Sequence, residues 1–334
     1  TSSMLTQILL DAGLDPSAVI GGKLPVINAY GRFGHSQNFV CESCEFNNTF
    51  LHMNPDIAVI LNIDEDHLDF FKNLDNIKKS FNKYVSGLPS DGFLIINNDD
   101  KNSNELKDNT RASVVSYGII NDSDYMASDI NYDIDGCASF DVIHNGEKLG
   151  RIELSVSGEH NIYNALSAIS LAICYGISFD DIKKGLKKYK GASRRLEYKG
   201  KFKGASIYDD YGHHPTEIMA TSKAIHKKKY RESWVIFEAH TYARAYKHKE
   251  EFAKALKDFD HIIVTDIYAA REENIYGITE DDIVREIKKY GKEAFHISSY
   301  DDIKLYLSQY VHEGDLILTL GAGNVTKMAD LLVK

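Results

Sequence analysis

From Gly191 to the C-terminus the chain alternates between short apolar runs and longer amphipathic stretches. The runs are Ser206-Ile207-Tyr208, Trp234-Val235-Ile236-Phe237, Ile262-Ile263-Val264-Thr265, Phe295-His296-Ile297 and Leu316-Ile317-Leu318-Thr319. The amphipathic stretches fall near 216–227, 249–257, 279–289, 300–310 and 324–332. A strand followed by a helix re-enters its sheet from the end it started at, so this alternation dictates a parallel, doubly wound α/β sheet. No other feature of the chain narrows its possible folds as much. It places a domain boundary near residues 190–195, giving domains 1–191 and 192–334.

The first domain reads differently. Residues 1–13 form an amphipathic helix with Met4, Leu5, Ile8, Leu9 and Ala12 on one face. It starts with no preceding strand or turn, as if the chain began inside a domain. Strand-like runs follow at Val26-Ile27-Asn28 and Phe39-Val40-Cys41. The near-continuous apolar run Ile57 to Ile63 suits a strand buried on both faces. Residues 74–85 are helical, and Phe93–Asn97 is another strand. Between Ala112 and Ser157 the pattern changes to alternation, with Asn145-Gly146 as a two-residue hairpin signal, so a small antiparallel subsheet is expected. Helices at 161–175 and 179–189 close the domain. The expectation is thus an α/β fold: a mostly parallel sheet with an antiparallel subsheet, then a Rossmann-like domain.

Two domains suit a chain of 334 residues. A net charge of -10 argues against a nucleic-acid partner. No apolar run approaches the ~20 residues of a membrane span, and no signal peptide is visible, which points to a cytoplasmic protein without a membrane partner. Cys41 and Cys44 have the C-x-x-C spacing, but no second pair follows and the segment reads as a strand end, so reduced, non-ligating thiols are expected. Nothing in the pattern sets an oligomeric state.

In an open α/β sheet, ligands bind beyond the carboxyl ends of the strands. Four strands of the second domain are followed by loops rich in titratable groups or glycine: Tyr208-Asp209-Asp210-Tyr211-Gly212-His213-His214-Pro215-Thr216-Glu217, Glu238-Ala239-His240-Thr241-Tyr242-Ala243-Arg244, Asp266 to Glu272, and Gly321-Ala322-Gly323-Asn324. One such loop is ordinary surface polarity; four mark a working edge. Adjacent His213 and His214 point in different directions, which favours polar recognition over shared metal binding. The glycine loop opens a helix and suits anion binding there. In the first domain Glu42 and His67 follow strands, and a carboxylate with an imidazole suits Mg²⁺ or Mn²⁺ on phosphates. Asp64-Glu65-Asp66 reads as a solvated loop or a helix cap.

The segment from Asp209 to Glu217 resembles the signature of the Mur ligase family, in particular of its alanine-adding members. Glu42-Ser43-Cys44-Glu45, Asn62 to Asp69, Gly158-Glu159-His160-Asn161 with Asn164-Ala165, Arg194-Arg195-Leu196-Glu197, His240 to Arg244, Asp266 to Glu272 and Gly321-Ala322-Gly323 agree in order and spacing. The resemblance implies a P-loop-type central ATPase domain followed by a Rossmann-like one. It also implies an ATP-dependent ligation of L-alanine to UDP-N-acetylmuramate through an acyl phosphate. By motif, Glu42, His213 and Arg244 are the expected catalytic residues, and Glu42 and His67 the ligands of Mg²⁺. Tyr211, His213, His240 and Arg244 are expected at the amino acid and muramyl end. His160, Asn164, Arg195 and Asp210 are expected on the ATP. Some relatives carry a carbamylated lysine in the region of Lys83, and some an arginine at the position of Thr241. The family's P-loop lysine, which precedes the helix starting here at Thr1-Ser2-Ser3, is not in the sequence, so the polypeptide as written is expected to be inactive alone. Domain closure about a hinge near Gly191 is also implied. A tripeptide-recycling ligase and a non-catalytic binding module of this fold are the alternatives.

Overall fold

A computed structural model describes residues 1–334, the side chain of Asp69 excepted; that residue of the matched motif lies outside the described side chains. The chain divides into one unit of Thr1–Asp133 with Cys137–Gly191 and a second of Ile134–Gly136 with Ala192–Lys334.

In the first unit, α1 (Ser2–Asp11) leads into β1 (Ser17–Leu24), β2 (Ala29–Arg32) and β3 (Phe39–Cys41), a three-stranded sheet in the order β2-β1-β3. Then come β4 (Ile57–Ile60), α2 (Leu68–Phe71), α3 (Leu74–Ser86), β5 (Phe93–Asn97), α4 (Lys101–Asn104), β6 (Ser113–Gly118), β7 (Tyr125–Tyr132), β8 (Cys137–His144), β9 (Glu147–Ser157), α5 (His160–Cys174) and α6 (Phe179–Lys188). Strands β4 to β9 form one sheet in sequence order. Successive residues of β5 feed opposite cores: Ile95 joins the cluster with α1, α5 and α6, while Leu94 and Ile96 join Ile77 and Val85 of α3. Helices α1 and α6 approach so closely that a Cβ on Gly185 would lie 2.7 Å from Ile8 Cα.

Two expectations are corrected here. Val26-Ile27-Asn28 is the turn between β1 and β2, not a strand: Pro25 starts it, the Ile27 N–H donates to Leu24 O, and Asn28 takes φ 50°. Strand β4 stops at Ile60 and is the sheet's edge, with every second residue buried. The expected antiparallel strands are present as β7, β8 and β9. They continue the parallel sheet, because β6 and β7 run side by side over just two pairs, Tyr117 with Tyr125 and Gly118 with Met126. The Asn145-Gly146 hairpin is present, with φ 49° and 85°.

In the second unit the elements are β10 (Glu197–Phe202), β11 (Ala205–Asp210), α7 (Pro215–Ile225), β12 (Ser233–Phe237), α8 (Tyr242–Leu256), β13 (His261–Val264), α9 (Glu280–Lys288), β14 (Ala294–His296), α10 (Tyr300–Tyr310), β15 (Leu316–Leu320) and α11 (Thr326–Leu332). The sheet order is β10-β11-β15-β12-β13-β14, and β11 to β15 are parallel. Val235 and Phe237 face the core of α7, α8 and α9; Trp234 and Ile236 face that of α10 and α11. Strand β10 is antiparallel to β11 and has no counterpart in the alternation read from the sequence. Four of its six residues, Glu197, Lys199, Gly200 and Lys201, are poor strand formers, and edge lysines are a common guard against further pairing. Helix α8 starts seven residues before its expected position, bending at His248. No helix among the described residues is long and apolar enough to cross a membrane.

Candidate functional site

Because β11, β12, β13 and β15 are parallel, their carboxyl ends deliver four loops to one edge of the second unit. Arg194 ties two of them together. Its guanidinium Nε lies 3.3 Å from the fully buried Asp209 carboxylate, Nη2 donates to Gly321 O at 2.5 Å, and Nη1 lies 3.4 Å from Ala322 O and Gly323 O. Asp209 also accepts from the hydroxyls of Thr319 and Thr326. The guanidiniums of Arg194 and Arg195 lie 4.9 and 5.5 Å from the centroid of the Tyr211 ring, a cation–π arrangement.

From Tyr211 a chain of rings crosses the edge. Tyr211 meets His213 at 5.4 Å, His213 meets His240 at 5.5 Å, and His240 stacks with Tyr268 at 5.5 Å. Arg244 Nη1 stands 3.4 Å from His240 Nδ1. Thus Tyr211, His213, His240 and Arg244 are brought together. His214 is not part of this group: it caps α7, with Pro215 at the first helical position, and its ring turns toward His248. Glu217 closes the capping box and accepts the His213 and His214 N–H groups. Burial alone would raise the Glu217 carboxyl, but His213, those N–H groups and Arg195 hold it below its ordinary value. Thr241 caps α8 through Arg244 N while holding φ 67°, a conformation that carries strain in a β-branched residue.

Two buried carboxyls organise the edge from beneath. Asp210 accepts from Leu196 N–H at 2.7 Å, Gly212 N–H at 2.8 Å and Thr221 Oγ1 at 3.1 Å. Its burial pushes the carboxyl up to about 6 despite those donors and Arg195. All three donors come from the chain itself, so Asp210 shapes the loop that carries Tyr211. Glu238, 4% exposed, accepts from Val325 N–H at 3.2 Å at the start of α11. The helix N-terminus after the glycine loop therefore already has its anion, Glu238, and the expected anion site there is corrected. The glycines serve packing: a Cβ on Gly323 would lie 2.3 Å from Glu238 Oε1 and 2.5 Å from Tyr268 Cγ.

In the first unit, Glu42 follows β3. Its Oε2 accepts from Gly21 N–H at 3.0 Å and from Ser2 Oγ at 3.3 Å. A Cβ on Gly21 would lie 2.2 Å from Glu42 Oε1, so β1 makes room for this carboxylate by having glycine there. His67 sits at φ 51°, with Nε2 3.7 Å from both Glu45 Oε1 and Asp66 Oδ2 and its ring 4.7 Å from that of Phe46. His160 and Asn164, one turn apart on α5, line a cavity of about 140 Å³ with Leu61, Asn62, Asn97, Tyr117 and Tyr163. Thr1 Oγ1 donates to Asn164 Oδ1 at 2.8 Å. Lys83 is exposed in the last turn of α3. Cys41 and Cys44 are free thiols, each held above its ordinary pKa chiefly by burial, which leaves little reactive thiolate. Among the described residues, three or more His, Cys, Asp or Glu ligand atoms converge at Asp266, Glu280 and His296 rather than around Glu42 and His67.

Reading the sequence overlooked Gly21, Asn97, Tyr163, Asp209, Glu238 and Tyr268 as site residues. Asp209, Glu238 and Tyr268 lay within loops read as the working edge without being singled out, and for Gly21 the pair Gly21-Gly22 was a signal, since paired strand glycines mark a close approach.

Residues 32–172 match the Mur ligase middle domain and residues 194–323 the Mur ligase, glutamate ligase domain. The chain belongs to the Mur ligase family. It is 43% identical, over 99% of its own length and 72% of the relative's, to a protein of Caldanaerobacter subterraneus subsp. tengcongensis named UDP-N-acetylmuramate–L-alanine ligase. Its fold matches that of the UDP-N-acetylmuramate-alanine ligase MurC from Thermotoga maritima with a TM-score of 0.82 at 23% identity, covering 99% of this chain and 71% of that one. The murein peptide ligase mpl from Psychrobacter arcticus matches with 0.72 at 24% identity, covering 99% and 73%.

Proposed function

We propose that this chain supplies two domains of an enzyme for the ATP-dependent joining of L-alanine to the carboxylate of UDP-N-acetylmuramate, a cytoplasmic step of peptidoglycan precursor synthesis. Residues 1–191 serve as its ATP-binding domain and 192–334 as its C-terminal domain. The observation that carries this reading is the 43% identity over 99% of the chain to a relative of that name.

A carboxylate is a poor electrophile. Attack of its oxygen on the γ-phosphorus of ATP, with ADP leaving, gives an acyl phosphate. The alanine amine then attacks the acyl carbon, phosphate departs, and the amine proton is released. Such chemistry is driven mainly by positioning and charge neutralisation. His160 and Asn164 border the first unit's cavity and by family resemblance line the adenine side of the ATP. Glu42 and His67 are a carboxylate and an imidazole that fit Mg²⁺ or Mn²⁺, and the space kept open at Gly21 leaves Glu42 its position. When bound, the ion offsets charge on the triphosphate. Arg195, 53% exposed, is the guanidinium that the family resemblance assigns to nucleotide phosphate. Arg244 is the partner for the alanine carboxylate, while His213, edge to face with Tyr211, and His240, stacked on Tyr268, orient the amine. Asp210 acts through the loop it holds.

The test is phosphate release from ATP by the full-length protein with UDP-N-acetylmuramate, adding L-alanine, other amino acids or a murein tripeptide. Release that depends on L-alanine supports the proposal. Release with the tripeptide alone assigns the recycling reaction instead, and no release with any acceptor leaves a binding protein.

A further inference from the structure

The edge of the second sheet opposite the loops, where β12, β13 and β14 begin, holds a cavity of about 330 Å³ that the ligase reaction does not use. That volume lies within the range of small-molecule sites. We propose that it is an aromatic cage with an acidic rim, built to bind a small organic cation.

Its walls are rings in contact. Trp234 stacks on His261 with centroids 3.8 Å apart and planes 17° from parallel. Tyr306 lies 6.3 Å from Trp234, 6.0 Å from Phe295 and 4.7 Å from Tyr310. Phe295 and Tyr310 are 42% and 51% exposed, so apolar faces stay open at the mouth. Around them stand Glu232 and Glu293. The cavity's one guanidinium, Arg231, is already matched: Nε and Nη2 contact both oxygens of the buried Asp315 carboxylate at 2.7 and 3.0 Å. Asp315 takes further donors from Trp234 Nε1 and His312 N–H, which fixes the floor.

Asp315 is matched by Arg231, and Glu232 by Arg231 Nη2 at 3.3 Å and His261 Nε2 at 3.1 Å, so Glu293 is the carboxylate that leaves negative charge beside the electron-rich faces of the rings. Anions are repelled, and a neutral aromatic ligand leaves the Glu293 carboxylate unanswered. A cation with an apolar surface meets both features at once. The chemistry is that of an alkylated or primary ammonium group, whether carried by a small metabolite or by a lysine-like chain.

Trp234 is the only tryptophan in the sequence, so its emission reports on this cavity. The full-length protein is titrated with tetramethylammonium chloride, with butylammonium chloride, and with sodium chloride at equal ionic strength. Saturation transfer from protein to the ammonium's alkyl protons is measured alongside. The expected result is a saturable change and saturation transfer with at least one ammonium, absent with sodium. Tyr310→Ala and Glu293→Gln should each weaken it at least about fivefold while leaving phosphate release unchanged. Preference for tetramethylammonium assigns a quaternary head group, and preference for butylammonium a primary amine. No saturable effect with either, or an effect that survives both substitutions, overturns the proposal without touching the ligase assignment.

Discussion

Replacing Arg194 with alanine tests whether the working edge is held together from within. The substitution removes the contact to Asp209, whose side chain has no exposure, and the donors to Gly321, Ala322 and Gly323 carbonyls. Breaking a buried pair by deleting one partner costs about 3–5 kcal/mol. Two features place the cost at the low end: Arg194 is 22% exposed, so water reaches the vacated carbonyls, and Thr319 and Thr326 still donate to Asp209. The expected loss is about 3 kcal/mol. Arg195→Ala is the control. Arg195 is 53% exposed and lies 3.8 Å from Glu217, a surface pair worth about 1 kcal/mol or less. Urea unfolding followed by Trp234 emission reports on the second unit, since that residue sits buried on β12. With a slope of ~2 kcal/mol/M, Arg194→Ala should move the midpoint down by ~1.5 M and Arg195→Ala by less than ~0.5 M. Equal shifts for the two, or a shift for Arg194→Ala below ~0.5 M, would refute the reasoning.

Three further outcomes follow from the first unit. Burial pushes the Asp99 carboxyl up, but the N–H groups of Ile119, Asn121 and Ile120 and the Tyr163 hydroxyl hold it below its ordinary 3.8. A depressed carboxyl contributes stability that is present above pH 3.8 and lost as pH falls through the lower folded value. Asp99→Asn should therefore cost about 1–3 kcal/mol at neutral pH, with the gap from the parent closing in acid; a gap constant with pH would contradict this. Gly185→Ala should destabilise by about 1–3 kcal/mol in thermal unfolding, although alanine is the better helix former, because the new Cβ meets Ile8 backbone at 2.7 Å. A stabilised variant would mean that α1 and α6 separate freely. Gly21→Ala displaces the Glu42 carboxylate, the flexible end of a side chain, so stability should change by less than about 1 kcal/mol while calorimetry shows weaker Mg²⁺-dependent nucleotide binding; unchanged binding would remove Glu42 from the metal site.

Local rules made much of the fold legible. The strand–helix alternation after Gly191 specifies a parallel sheet because each crossover must return the chain to the same end. Asn145-Gly146 specifies its hairpin because both residues tolerate positive φ. The same rules misplace Val26–Asn28, where β-branched residues sit in a turn set by Pro25 and Asn28. They also miss β10, whose lysines and glycine carry no strand signal and which exists because β11 offers it an open edge.

For the site, the sequence by itself determined which loops meet: parallel strands place the segments after β11, β12, β13 and β15 on one edge, and that ordering is a matter of chain direction. What fills the space between those loops was decided only by tertiary structure. Glu238 occupying the start of α11, and Arg194 reaching carbonyls 127 to 129 positions away, depend on which strands become neighbours. Sheet order is set by burial and packing summed over the whole domain, and periodicity along the chain carries no record of it.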